Sequence, residues 1–190
     1  MTTRDRILAC AVTELEAHGL DGLSLRAVGA KASITPMAVY RHFSDKSDLL
    51  RAVGEHALGQ WQERVAAIAT DNLRDWFYAV VKASIAFGLD EPALFDAAFV
   101  LKTKAERIYP EDFRAGRSPV IGQFAARLAE GQAEGLVRAG DPLELAMGAW
   151  GVLHGLIGLH RSGRFSLSRQ DFTDLCLRSA ARLIITGESL

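Results

Sequence analysis

The sequence predicts an all-α chain of about nine helices. Apolar residues recur at the 3.6-residue period, cap residues and prolines stand where those stripes begin, and alternating strand patterns are nearly absent. The chain has 190 residues, 49% apolar and 24% charged, enough for one large or two small domains with a hydrophobic core.

Taken in order, Ile7, Leu8, Ala11, Val12 and Leu15 form the first stripe, closed by Gly19 as a helix-ending residue with Leu20 after it. Ser24 caps the next helix, and Thr35 followed by Pro36 is a cap with proline at the first helical position. Asp45 opens a longer helix, with Asp48 as its acidic capping partner; Leu49, Val53, Ala57, Trp61, Val65 and Ile68 form its apolar face. A helix starting near Leu73 ends at Gly88, and Asp90-Glu91-Pro92 opens another. Residues 109–117 read as a loop. Ser118-Pro119 opens a helix ending near Gly135, Asp141-Pro142 opens the Leu145–His160 helix, and the last runs near Ser168–Thr186.

Composition narrows the function classes. Cys10 and Cys176 lie far apart without metal-ligand spacing, so neither a disulfide scaffold nor a zinc site is expected, and buried thiols are the simpler reading than redox sensors. No metal or cofactor is expected. Glu14 interrupts the apolar run that follows Arg4 and Arg6, so a secretory signal is not expected. The uncharged stretch Leu145–His160 is shorter than a bilayer span and holds four glycines and two histidines, so it reads as a core or interface helix of a soluble, cytoplasmic protein. The net charge of −1 hides a local asymmetry: between Ser24 and Lys46 stand Arg26, Lys31, Arg41 and Lys46 against Asp45 alone.

Leu25–Phe43 reads as a helix-turn-helix. Leu25, Val28, Ala32, Val39 and Phe43 face inward, Gly29 and Ala32 permit close helix approach, and Ser33-Ile34 makes the turn. That leaves Thr35, Pro36, Met37, Tyr40 and Arg41 on the outer face of the second helix, whose first residues would reach base edges in a major groove. Thr35 suits a base or phosphate, Pro36 and Met37 suit thymine methyls, and Tyr40 and His42 suit phosphate. Arg41 suits guanine or phosphate, while Ser24, Arg26 and Lys46 lie at the edges of the motif, the latter two as backbone clamps.

The segment RDRILACAVTELEAHGLDGLSLRAVGAKASITPMAVYRHFSDKSDLL resembles the N-terminal DNA-binding domain of TetR-family regulators. The resemblance rests on the Ile7–Leu15 stripe, Gly19, Ser24-Leu25-Arg26, Tyr40-Arg41-His42-Phe43 and Lys46 before Leu49-Leu50. It implies a DNA-binding domain over residues 1–47, a ligand-binding and dimerisation domain over 48–190, and a linking helix from 45 to about 68. Two departures stand out: Ser33 occupies the turn where the family commonly has glycine, and Gly29 replaces the usual alanine.

Trp150, His154 and Gly155 resemble the W…HG signature of one class of TetR-family C-terminal domains. Glycines at 148, 151, 155 and 158 suggest close backbone approach by a neighbour. With the family's four-helix dimer bundle in mind, the expected homodimer interface comprises Asp141–His160 and Ser168–Thr186, with Gly148, Gly151, Gly155, Leu175 and Leu183 as its markers. The resemblance also implies a cavity for a small, mostly apolar effector, for which Trp76, Tyr78, Ser84, Phe99, Thr103, Gln123 and His154 are the candidates.

The function expected is a ligand-responsive transcriptional regulator, a repressor released from a palindromic operator in double-stranded DNA. The competing class is a helical enzyme or small-molecule carrier with a merely structural N-terminal motif. An enzyme would need a nucleophile–base pair, metal cluster or phosphate loop, and the sequence has none in a recognisable pattern.

Overall fold

The computed structural model describes residues 1–102 and 106–187. Among them are ten helices and one isolated antiparallel bridge, between Val137 and Ile185. The helices are α1 (Thr3–Gly22), α2 (Leu25–Lys31), α3 (Pro36–Tyr40), α4 (Lys46–Ala66), α5 (Leu73–Asp90), α6 (Pro92–Phe99), α7 (Glu111–Arg114), α8 (Pro119–Ala133), α9 (Pro142–Arg161) and α10 (Arg169–Ile184). The helix beyond the expected nine is α7, a single turn inside the predicted loop. Its local cause is Asp112, whose carboxylate accepts the Ile108 backbone N–H at 2.6 Å and pairs with Arg117.

By compactness the chain forms two units, Met1–Trp61 with Asp90–Glu106, and Gln62–Leu89 with Arg107–Leu190. In the first, α1 packs on α2 and α6, and α2 packs on α3. Ile7, Ala11, Val28, Val39, Phe43, Leu49 and Val53 are completely buried there. The start of α1 is fixed by a reciprocal cap between Thr2 and Asp5. Its regular course breaks at Gly19, where φ is 66°, a value that suits a residue without Cβ.

The α2–α3 turn follows from backbone hydrogen bonding. Ser33 N–H donates to Ala30 O at 3.1 Å and Ile34 N–H to Gly29 O at 2.9 Å, the paired bonds of a Schellman ending. That motif needs a left-handed residue after the cap, and Ser33 has φ 55°. The same turn explains Gly29: a Cβ there would sit 3.1 Å from Val39 Cγ2 and 3.2 Å from Ile34 O, so glycine lets α3 close on α2. Replacing Ser33 with glycine removes the left-handed strain while loosening the unfolded chain. We expect Ser33→Gly to stabilise the chain by about 0.5–1 kcal/mol in denaturant unfolding; equal or lower stability would contradict this.

The α4 cap is offset from the expected one. Asp45 Oδ1 accepts from Asp48 N–H at 2.8 Å, but the Asp48 carboxylate accepts from Ser44 N–H at 3.0 Å instead of from Asp45. The Ser44 amide, followed by the Arg51 guanidinium at 2.6 Å, holds the Asp48 carboxyl below its usual range. Leu49, Val53, Ala57, Trp61 and Val65 are buried as the periodicity predicts, and Ile68, beyond the helix, is half-buried.

In the second unit α8 packs on α9, and α9 on α10. Trp76, Phe77, Val80, Val81, Ile85 and Phe87 form the buried side of α5. Gly131 of α8 is forced by packing, because a Cβ there would lie 2.4 Å from Leu73 Cδ2 and 2.7 Å from Val137 Cγ2. Leucine can turn away, but Val137 is held by its N–H bond to Gly131 O and by the bridge to Ile185. Arg127 ties the segment before α5 to α8, donating to Thr70 O at 2.6 Å and Asp71 O at 3.2 Å.

Candidate nucleic-acid interface

The outer face of α3 is built by the helix that it belongs to. Thr35 caps α3, its Oγ1 accepting from Ala38 N–H at 3.2 Å, and Pro36 follows at the first helical position. Val39 points into the core with no exposure, which turns Met37 and Tyr40 outward at 69% and 51% exposure. Two large apolar side chains this open on a five-residue helix do not serve the core of their own unit. Thr35, Pro36, Arg41 and His42 are also exposed, so every residue expected to read DNA from α3 and its end is open to solvent. Ser24 caps α2, its Oγ accepting from Ala27 N–H at 3.1 Å, and Arg26 is exposed on the first turn of that helix.

The four local cations divide into two pairs. Lys31 Nζ donates to Glu14 Oε1 at 3.0 Å, joining α2 to α1, and His18 Nδ1 lies 3.3 Å from the same carboxylate. Glu14 is 9% exposed, and its bond with Lys31 holds its carboxyl below the usual range. Lys46 Nζ donates to Leu20 O at 2.9 Å, a carbonyl in the last turn of α1 that has no helical N–H beyond it. Lys46 therefore ties the start of α4 to the end of α1. Arg26, Arg41 and Lys46 make no ion pair among the described residues; the Lys46 partner is a neutral carbonyl. Sequence reading counted Lys31 with the footprint because a carboxylate seventeen residues away was not visible as its partner. It also missed Arg4, whose guanidinium lies over the Phe43 ring at 4.9 Å.

The effector candidates are dispersed. Trp76 and Ser84 lie buried on α5, where the Ser84 hydroxyl donates to Val80 O at 2.8 Å. Trp76 has no exposed surface, meets Phe124 edge-on at 5.4 Å, and its indole N–H has no hydrogen-bond partner among the described residues. Tyr78 departs from expectation: two residues from Trp76 it lies on the opposite side of α5, 41% exposed, with Lys82 Nζ 5.1 Å from its ring centre. Gln123 is exposed as well, because its neighbour Phe124 takes the inward position. Phe99 belongs to the first unit, where it contacts Trp61 and Phe95, and Thr103 lies outside the described residues. His154 meets the Trp150 ring in a tilted contact at 4.5 Å, and burial lowers its pKa to about 4, so it is neutral at pH 7.

On α9, nothing among the described residues lies within 4 Å of where a Cβ would stand at Gly151, Gly155 or Gly158. At Gly148 a Cβ would meet only Leu183 Cδ1, at an ordinary 3.8 Å. Leu159 and Leu183 are 48% and 36% exposed and Leu175 is half-buried. By length and composition α9 is the one helix among the described residues that could cross a membrane, and 22% of that stretch is buried. Cys176 is fully buried, which pushes its thiol up to about 11 and leaves it protonated at neutral pH.

Residues 7–53 match the sequence profile of the bacterial regulatory proteins of the tetR family. Residues 77–183, more than half of the chain, match the tetracyclin repressor-like C-terminal domain. The chain belongs to the TetR family. An HTH-type transcriptional regulator of Mycobacterium tuberculosis is 26% identical over 140 residues, covering 72% of this chain and 60% of that protein. The chain thus spans about three fifths of the length of that curated relative. Among solved structures, a Rhodococcus protein of unknown function superposes with a TM-score of 0.79 at 26% identity, covering 98% of this chain and 97% of the other. SmeT, the repressor of a Stenotrophomonas maltophilia multidrug efflux pump, shares the fold at a TM-score of 0.67 and 23% identity, with 98% and 92% covered. In this TetR-family chain, the first profile covers α2, α3 and all the expected DNA-contact residues.

Proposed function

We propose that this TetR-family chain is a cytoplasmic, ligand-responsive transcriptional regulator that binds double-stranded DNA through α3 and acts as a repressor. The observation that carries the reading is the exposed Thr35–His42 face, with Met37 and Tyr40 open and Arg26 and Arg41 unpaired beside it. A helix pair of this kind places its second helix in the major groove while the flanking cations meet phosphate.

The functional form is a homodimer on a palindromic operator. Support for the dimer comes from α9, whose Gly151, Gly155 and Gly158 have no neighbour within 4 Å among the described residues and whose apolar stretch is 22% buried. A second copy bringing the same helix would supply the close backbone contact that such glycines permit, as expected for a two-fold interface. Two copies also divide the electrostatic work, which accommodates a chain of net charge −1. The effector is a small, mostly apolar molecule bound in the second unit, and it acts through α4, whose residues are divided between the two units. The unpartnered Trp76 N–H favours an effector carrying one hydrogen-bond acceptor. SmeT, a neighbour in fold, is known in complex with triclosan.

The test is binding to genomic duplexes captured by the full chain. Arg41→Ala is expected to weaken binding across all captured sequences and to reduce the salt slope by about 1 for each phosphate that the arginine no longer neutralises. Tyr40→Phe removes only a hydroxyl and should weaken binding less. Unchanged affinity and slope in both variants would contradict the assigned surface.

A further inference from the structure

The part of α3 that would meet base edges offers carbon instead of hydrogen-bonding groups. Pro36 and Ala38 have no polar side-chain atom, and Met37 is the most exposed large side chain of the helix at 69%. The Thr35 hydroxyl oxygen accepts from Ala38 N–H as the cap, which leaves its single O–H as the one side-chain donor between Ile34 and Tyr40. Bidentate reading of guanine uses arginine or lysine, and bidentate reading of adenine uses asparagine or glutamine. None of these stands between Ile34 and Tyr40. The nearest cation, Arg41, caps the far end of α3, and Arg26 stands exposed on the first turn of α2. An exposed apolar patch complements a groove floor of methyl groups, and the unpaired arginines of the same helix pair suit phosphate.

We propose that base selection by this chain is made through the C5-methyl groups of thymine, with Met37 the specificity-determining contact and Pro36 beside it. The inference rests on the DNA-binding reading of the same face. Arginine at the margins then sets affinity and orientation, while the methyl contacts decide which duplex is held.

The experiment enriches duplexes from a random library on the full chain and then replaces each thymine of an enriched site, one at a time, with deoxyuridine. That exchange deletes one methyl and leaves pairing and groove hydrogen bonds intact. At one or two positions per half-site, affinity should fall about three- to fourfold, the size expected for one buried methyl. Met37→Ala, which leaves the core untouched, should abolish the thymine-to-deoxyuridine ratio at its position without changing the salt slope. The proposal is overturned if enriched duplexes tolerate every deoxyuridine within about 1.5-fold, or if Met37→Ala keeps the wild-type ratio. A library that yields no enriched duplex removes the DNA-binding reading itself, and this inference with it.

Discussion

Phe43→Ala should destabilise the N-terminal unit by about 3–5 kcal/mol and abolish DNA binding at temperatures where the parent chain still binds. Phe43 is fully buried directly after α3, its N–H donates to Val39 O at 3.0 Å, and Arg4 covers its ring. Alanine there leaves a cavity beneath the reading helix, and a five-residue helix cannot persist without tertiary packing. The effect should be read as an early loss of structure in the first unit by hydrogen exchange at α2 and α3. Phe43→Leu, which keeps most of the volume, should recover much of the stability. If Phe43→Ala unfolds with the parent midpoint, the packing account of the head is wrong.

The second large effect is expected at Trp76. Trp76→Ala removes a completely buried indole that packs against Phe124 and beneath the Arg127 guanidinium, at a cost of about 3–5 kcal/mol. Trp76→Phe should behave differently. It loses part of the ring volume but also removes a buried donor without a partner, a group whose desolvation costs about 1–3 kcal/mol. The two contributions oppose each other, so Trp76→Phe should fall within about 1 kcal/mol of the parent in denaturant unfolding. A loss for phenylalanine as large as that for alanine would show that the indole N–H is satisfied after all.

Much of this fold was legible because its boundaries are local chemistry. Thr35-Pro36, Asp141-Pro142 and Ser168 cap the helices that they were expected to open, since cap and proline effects act within one turn. Ser33 was legible as a departure, and its φ of 55° shows why glycine would suit the position. The exposure of Met37 and Tyr40 was legible too, because Val39 and Phe43 take the inward positions. Long-range partners were not. Glu14 takes Lys31 out of the free basic patch, and the Leu20 carbonyl engages Lys46, through hydrogen bonds seventeen and twenty-six residues apart. The effector candidates are divided between buried and exposed positions for a similar reason: aromatic and polar residue types do not reveal which side of a helix they occupy. Tyr78 and Gln123 face out while Trp76 and Phe124 face in. Gly131 passed unnoticed because its constraint is supplied by Leu73 and Val137, far away or beyond the helix end.

The most direct test of the central claim is a hydroxyl-radical footprint of the full chain on a captured genomic duplex. The dimeric reading head predicts two protected patches on one face of the duplex, their centres one helical turn or a multiple of it apart, about 10 base pairs per turn. Arg41→Ala should lose both patches together. A single patch, protection that follows no helical period, or a footprint unchanged by Arg41→Ala would contradict it.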